Sequence, residues 1–172
     1  MRNRLSPVAL LPALLLAAPL AEAQEPAFDG ALIDACLVEQ SGRDGQLQSC
    51  IGVAADACID QPAGDSTVGM TGCLMGEYQH WDGLLNSAYG EVMQKAEAND
   101  AELKQLGSAA EAEAPLLKEM QRKWIAFRDA ACNWERSKWG GGTGGGPASA
   151  QCAMTLTAEQ YLRLASRLRE GG

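Results

Sequence analysis

The sequence predicts an all-α protein: a disulfide-stapled helical bundle with two long antiparallel helices, a C-terminal helix and a small N-terminal helical hairpin. Three observations lead there. Leu74, Tyr78, Trp81, Leu85, Ala88 and Val92 recur at alternating intervals of four and three, and so do Met120, Trp124, Phe127, Ala131 and Trp134. Each set falls on one face of an α-helix. No stretch alternates apolar and polar residues with the period of two that a half-buried strand requires. Six cysteines, an even number, suit an exported scaffold held by three bridges.

Residues 1–23 have the layout of a secretory signal peptide. Arg2 and Arg4 precede an apolar run from Leu5 to Leu20, and Ala21-Glu22-Ala23 puts small residues at a cleavage site before Gln24. The run is interrupted by Pro7, Pro12 and Pro19 and is short for a bilayer core of about 30 Å, which argues against a membrane anchor. The expected location is the periplasm or the medium, with no membrane attachment after cleavage. No cysteine stands just after the run, so no lipoprotein anchor is expected.

In the remainder, residues 24–30 form a loose start. Residues 31–40 and 46–60 are short helix candidates separated by the turn residues Ser41 to Gly45. Gln61 to Asp65 breaks the chain again, and Asp65, Ser66 or Thr67 can cap the next helix. That first long helix is expected over 68–98. Gly69, Gly76, Gly83 and Gly90 recur every seven residues opposite its apolar stripe. Either something approaches that back face closely or the spacing is chance; each glycine costs about 0.8–1 kcal/mol relative to Ala in a helix interior.

A polar linker with Gly107 leads to the second long helix, over 109–138. Leu116 and Leu117 extend its stripe, and Pro115 is tolerable only in its first turns. Glu119 and Lys123 form a favourable pair one turn apart. The glycine-rich stretch 140–147 ends that helix as a flexible loop. It is no phosphate loop, because no GKS or GKT comes after it. The last helix is expected to start near Thr157, with Thr157 and Gln160 as a capping box and Leu156 and Tyr161 as a hydrophobic staple. Tyr161, Leu164, Ala165 and Leu168 would be its inner face.

Fifteen pairings of Cys36, Cys50, Cys58, Cys73, Cys132 and Cys152 are open. Economy favours neighbours: Cys36–Cys50, Cys58–Cys73 and Cys132–Cys152. Each closes a loop of fifteen to twenty residues or so, worth roughly 3 kcal/mol. No CxxC or CxxCH occurs, and His80 is the only histidine, so zinc, haem and thioredoxin-like chemistry find no ligand set. His80 neighbours Trp81 and is expected to face solvent. No nucleophile–base pair or cofactor loop is visible, and Glu111 and Glu113 lie in a solvated charged stretch rather than a glycosidase arrangement. The expectation is a protein that binds rather than catalyses, with no cofactor and no metal.

Charge is unevenly spread. The chain carries a formal −8, and residues 24–91 hold eleven acidic side chains against the single basic Arg43. That balance disfavours nucleic acid and anionic membranes and suits a cationic partner. It also serves solubility.

The most specific segment is Gln121-Arg-Lys-Trp-Ile-Ala-Phe-Arg-Asp-Ala-Ala-Cys132. It resembles the "aQraWi.fRda.C" signature of the LprI-like lysozyme-inhibitor family. Cys58 and Cys73 match that family's first cysteine pair, Leu85-Asn86-Ser-Ala-Tyr89 its "LN..Y" motif, and Cys152 with Leu156-Thr157 its final "C…lT" segment. The resemblance covers about Cys58 to Leu168 and implies a helical domain over 58–170, preceded by an additional disulfide-bonded segment over 24–57. The Cys36–Cys50 pair is extra to the family pattern. The glycine loop is unusually bare, and Arg163 stands later than the family's arginine.

Most signature residues read as structural. Trp124, Phe127 and Tyr89 lie on inner stripes and are expected in the core. Arg128 and Asp129 are either a binding pair or buried groups that hold the long helices in register. Arg128 lies one turn after Trp124, where it can stack on the indole. Asn86 is placed to bridge helices. The resemblance implies an inhibitor that associates with a basic lysozyme, steered by the acidic residues 24–91. The alternative is an envelope interaction module with another partner and no effect on lysozyme.

Overall fold

The computed structural model describes residues 25–42 and 46–170. The expected signal peptide and Arg43 lie outside the described residues. Among the described residues five helices occur in order: α1 Ala31–Gln40, α2 Val53–Ile59, α3 Thr67–Gln105, α4 Glu113–Ser137 and α5 Gly145–Glu170, with a short 3-10 turn at Leu47–Cys50 before α2. The described residues contain no strand.

The segment 46–60 is not one helix. Gly52 adopts φ +101°, a conformation open to glycine, and separates the 3-10 turn from α2. The first long helix starts where the capping residues allow: the Ser66 hydroxyl accepts from the Gly69 N–H at 2.9 Å. It ends on Gly107, at φ +68°, with the Ser108 N–H bonded to the Leu103 carbonyl at 2.9 Å.

The expected stripe of α3 is its buried face. Leu74, Trp81, Leu85, Ala88 and Val92 are buried, with Tyr78 partly so. The heptad of glycines has a cause over its first half only. A side chain at Gly69 would meet the backbone carbonyls of Ala63 and Gly64, and one at Gly76 would meet Phe28; Gly83 and Gly90 face open space.

α5 begins at Gly145, well before Thr157. Gly145 lies against the Arg136 carbonyl and Gly146 against the Thr71 hydroxyl, so the bare backbone of this segment seats the first turn of α5 between α3 and the end of α4. Pro147 is tolerated because it falls in that first turn. Thr157 is consequently a mid-helix residue, fully buried, whose hydroxyl has no hydrogen-bond partner among the described residues. The expected capping box and staple do not form. The true loop, 138–144, turns sharply at Gly140 and Gly141, both with positive φ.

α5 runs parallel to α3 along its most extensive interface, and α4 returns antiparallel between their ends, leaning more on α5 than on α3. One core cluster unites Ile33, Cys50, Ala54, Leu74, Trp81 and Met154; a second unites Leu85, Ala88, Val92, Leu117 and Leu164. Trp81 is fully buried and packs on Tyr161, with ring centroids 5.6 Å apart. The three disulfides are Cys36–Cys50, Cys58–Cys73 and Cys132–Cys152, the neighbour pairing. They tie α1 to the 3-10 turn, α2 to α3, and α4 to α5.

Candidate partner-binding surface

The signature residues fall into three environments. Leu85 is buried in the second core cluster, with Tyr89 and Trp124 packed at its edge. Gln121 is buried and its Oε1 accepts from Gln160 Nε2 at 3.0 Å, a polar tie between α4 and α5. Arg128 occupies the seam between α3 and α4. Its guanidinium lies 5.2 Å from the Trp124 ring centroid and 5.5 Å from that of Tyr78. Its Nη2 donates to Asp129 at 2.9 Å, and its Nη1 stands 3.8 Å from Asp82 of α3. A charge sandwiched by two rings and two carboxylates locks the two helices laterally.

Asn86 and Phe127 lie elsewhere than the spacing predicts. Asn86 is exposed and donates to Asp82 of its own helix at 3.1 Å, so it bridges no helices. Phe127 is 60% exposed rather than core. The reason is rotational. Leu117, Gln121, Arg128 and Cys132 form the inward face of α4. That face is turned roughly 90° from the apolar stripe, at 3.6 residues per turn. The Cys132–Cys152 bridge and the Arg128 sandwich fix this rotation against the pull of the aromatic side chains. Part of the stripe is left outside: Leu116, Phe127 and Trp134 are all more than half exposed, as is Trp139 just beyond the helix.

His80 is partly buried, with Nε2 2.9 Å from Asp34 Oδ1, and joins α3 to α1 instead of facing solvent freely. Burial pushes the Tyr161 phenol above its ordinary pKa, with Arg169 opposing. The Arg122 hydrogen bond holds the Glu119 carboxyl below its usual range. Among the described residues no group of three or more His, Cys, Asp or Glu is placed to hold a metal ion.

Two carboxylates act in ways that no local pattern announced. Glu77 is fully buried. Its Oε1 accepts from the Gly52 N–H at 2.6 Å and the Trp81 indole at 2.9 Å; its Oε2 accepts from the N–H groups of Ala54 and Ala55 at 3.1 and 2.7 Å. It thereby caps α2 from α3. Asp100 caps α4 in the same way, accepting from Glu113 and Ala114 at 2.7 and 2.9 Å. Both satisfy helix N-terminal donors that their own flanking residues leave open.

The Glu77 cap holds α2 in an acidic segment of the surface. Asp29, Asp34, Glu39, Asp56, Asp60 and Asp65 are all exposed on the segment that α1, α2 and the start of α3 form. Asp34 among them pairs with the His80 ring. That segment is a field of negative charge, whereas the outer face of α4 is aromatic with interspersed cations.

No curated protein and no solved structure matches the chain. A family model described as lysozyme inhibitor LprI matches residues 58–164, more than half of the sequence and the stretch that carries α3, α4, most of α5 and two of the three bridges. The chain therefore belongs to the LprI lysozyme-inhibitor family.

Proposed function

We propose that this protein is an exported inhibitor of lysozyme that acts by binding the enzyme, without chemistry of its own. The family match over residues 58–164 carries this reading. Residues 58–170 then form the inhibitor domain and residues 24–57 a disulfide-bonded addition to it. Three bridges suit an oxidising compartment, and among the described residues no helix is long and apolar enough to cross a membrane. A periplasmic or secreted location is part of this reading.

The electrostatics favour a basic partner. Exposed carboxylates of α1, α2 and the adjoining loops set up a one-sign field that draws a cationic enzyme to that end and accelerates encounter at low salt. The test is a cell-wall lysis assay with the purified, oxidised chain against lysozymes of animal and bacterial type. Slowed lysis at micromolar inhibitor is expected for at least one of them. Unchanged lysis by all of them at micromolar excess refutes the proposal and favours an envelope module with a different partner.

A further inference from the structure

The displaced stripe of α4 leaves an unpartnered surface at the end of the bundle. Phe127, Ala131 and Trp134 of α4 and Ala148, Cys152 and Leu156 of α5 line a shallow groove of about 450 Å³. Beyond it, Trp134 is 64% and Trp139 54% exposed. Lys138 lies between them in the chain. Its Nζ lies 4.0 Å from the Trp134 ring centroid and 2.7 Å from Glu135 Oε1, so the ammonium is held over the ring rather than free in solution. The adjoining turn, through Gly140, Gly141 and Gly142, has no side chain to stand in the way of a concave partner.

A lysozyme cleft has the reciprocal chemistry. Glycoside hydrolases flank the scissile bond with a pair of carboxyl groups. Their grooves accept sugar rings, whose apolar faces stack on aromatic planes as Trp and Tyr side chains do. A half-exposed ammonium held over one exposed indole, with a second exposed indole next to it in the chain, complements such a groove in charge and in stacking surface. Exchanging Glu135 for an enzyme carboxylate costs little, because an exposed ion pair is worth about 0–1 kcal/mol. Together with the acidic α1–α2 segment this gives the molecule two distinct surfaces, one for a basic enzyme body and one for an acidic cleft.

Resting on the lysozyme reading, we infer that the Trp134–Lys138–Trp139 end of α4 occupies the substrate cleft of the inhibited lysozyme, with Lys138 against its catalytic carboxyl pair. Three variants test this: Lys138→Glu, the double variant Trp134→Ala/Trp139→Ala, and, as a control with the same charge change at the far end of α3, Lys104→Glu. Each is assayed for inhibition of a basic animal-type lysozyme. Binding is also measured with and without a chito-oligosaccharide that fills the cleft, and oligomeric state by size-exclusion chromatography.

Both α4 changes should weaken inhibition by about tenfold or more, as loss of a central anchor does. Lys104→Glu should alter it less than about twofold, as charges distant from a contact do. The oligosaccharide should compete with the protein. If the wild-type chain inhibits but the α4 variants inhibit equally well, or protein and oligosaccharide bind together, the cleft assignment is overturned while the inhibitor reading stands. A dimer dissolved by the double variant with inhibition unchanged makes the face a self-association surface and overturns it too. A wild-type chain that neither binds nor slows lysozyme takes down the underlying reading and the assignment with it.

Discussion

Glu77 shows how one side chain organises the N-terminal end of this molecule. Four donors converge on a fully buried carboxylate, three of them backbone N–H groups at the start of α2. Truncation leaves those groups buried with no acceptor, at a penalty of about 1–3 kcal/mol for each one unsatisfied. Glu77→Ala should therefore lower unfolding stability by about 3 kcal/mol or more, read from the midpoint of a urea transition. Glu77→Gln should fall between wild type and Glu77→Ala, because its amide keeps one acceptor and brings a donor toward N–H groups. None of this is legible in the sequence. Glu77 is separated by more than twenty residues from the backbone groups it caps, and nothing local marks it among the other acidic residues of the segment. Arg128 is half legible. Its spacing from Trp124 predicts the stacking, but Tyr78 and Asp82 come from another helix and appear only once α3 and α4 are in register.

At the scale of elements, periodicity locates the helices whose burial is continuous. The α3 stripe is the buried face, with only Tyr78 partly exposed, because the Cys58–Cys73 bridge and the Glu77 cap agree with it in rotation. The α4 stripe is not, because a disulfide and a sandwiched guanidinium outweigh the preference of Phe127 and Trp134 for the interior. The start of α5 is hidden because glycine and proline ordinarily break helices. Here glycine is what permits close seating against Thr71 and Arg136. The same contrast separates the α3 glycines. Gly69→Ala forces a methyl into the carbonyls of Ala63 and Gly64 and should destabilise by about 1–3 kcal/mol. Gly83→Ala meets open space and should stabilise by about 0.8–1 kcal/mol, the helix-propensity difference. Thermal unfolding of the two variants side by side should move in opposite directions. Asp100→Ala, which strips α4 of its cap, should cost about 1 kcal/mol. It should raise amide exchange at Glu113 and Ala114 ahead of the rest of α4.

For the molecule as a whole, the separation of charge from aromatic surface divides encounter from retention. Exposed carboxylates on α1, α2 and the 60–65 loop act over about a Debye length, roughly 8 Å at physiological salt, and so act before contact. The aromatic end of α4 acts only on contact. Neutralising Asp56, Asp60 and Asp65 together, each to Asn, should slow association with a basic lysozyme several-fold at low ionic strength. It should leave dissociation nearly unchanged, as loss of peripheral charge does. Raising the salt should bring wild-type and triple-variant association rates together, because screening removes the very term the substitutions remove. Surface plasmon resonance at low and high ionic strength separates the two rates. If instead the triple variant dissociates faster and the gap persists at high salt, those carboxylates are in direct contact with the enzyme. The acidic end would then belong to the interface itself rather than to the approach.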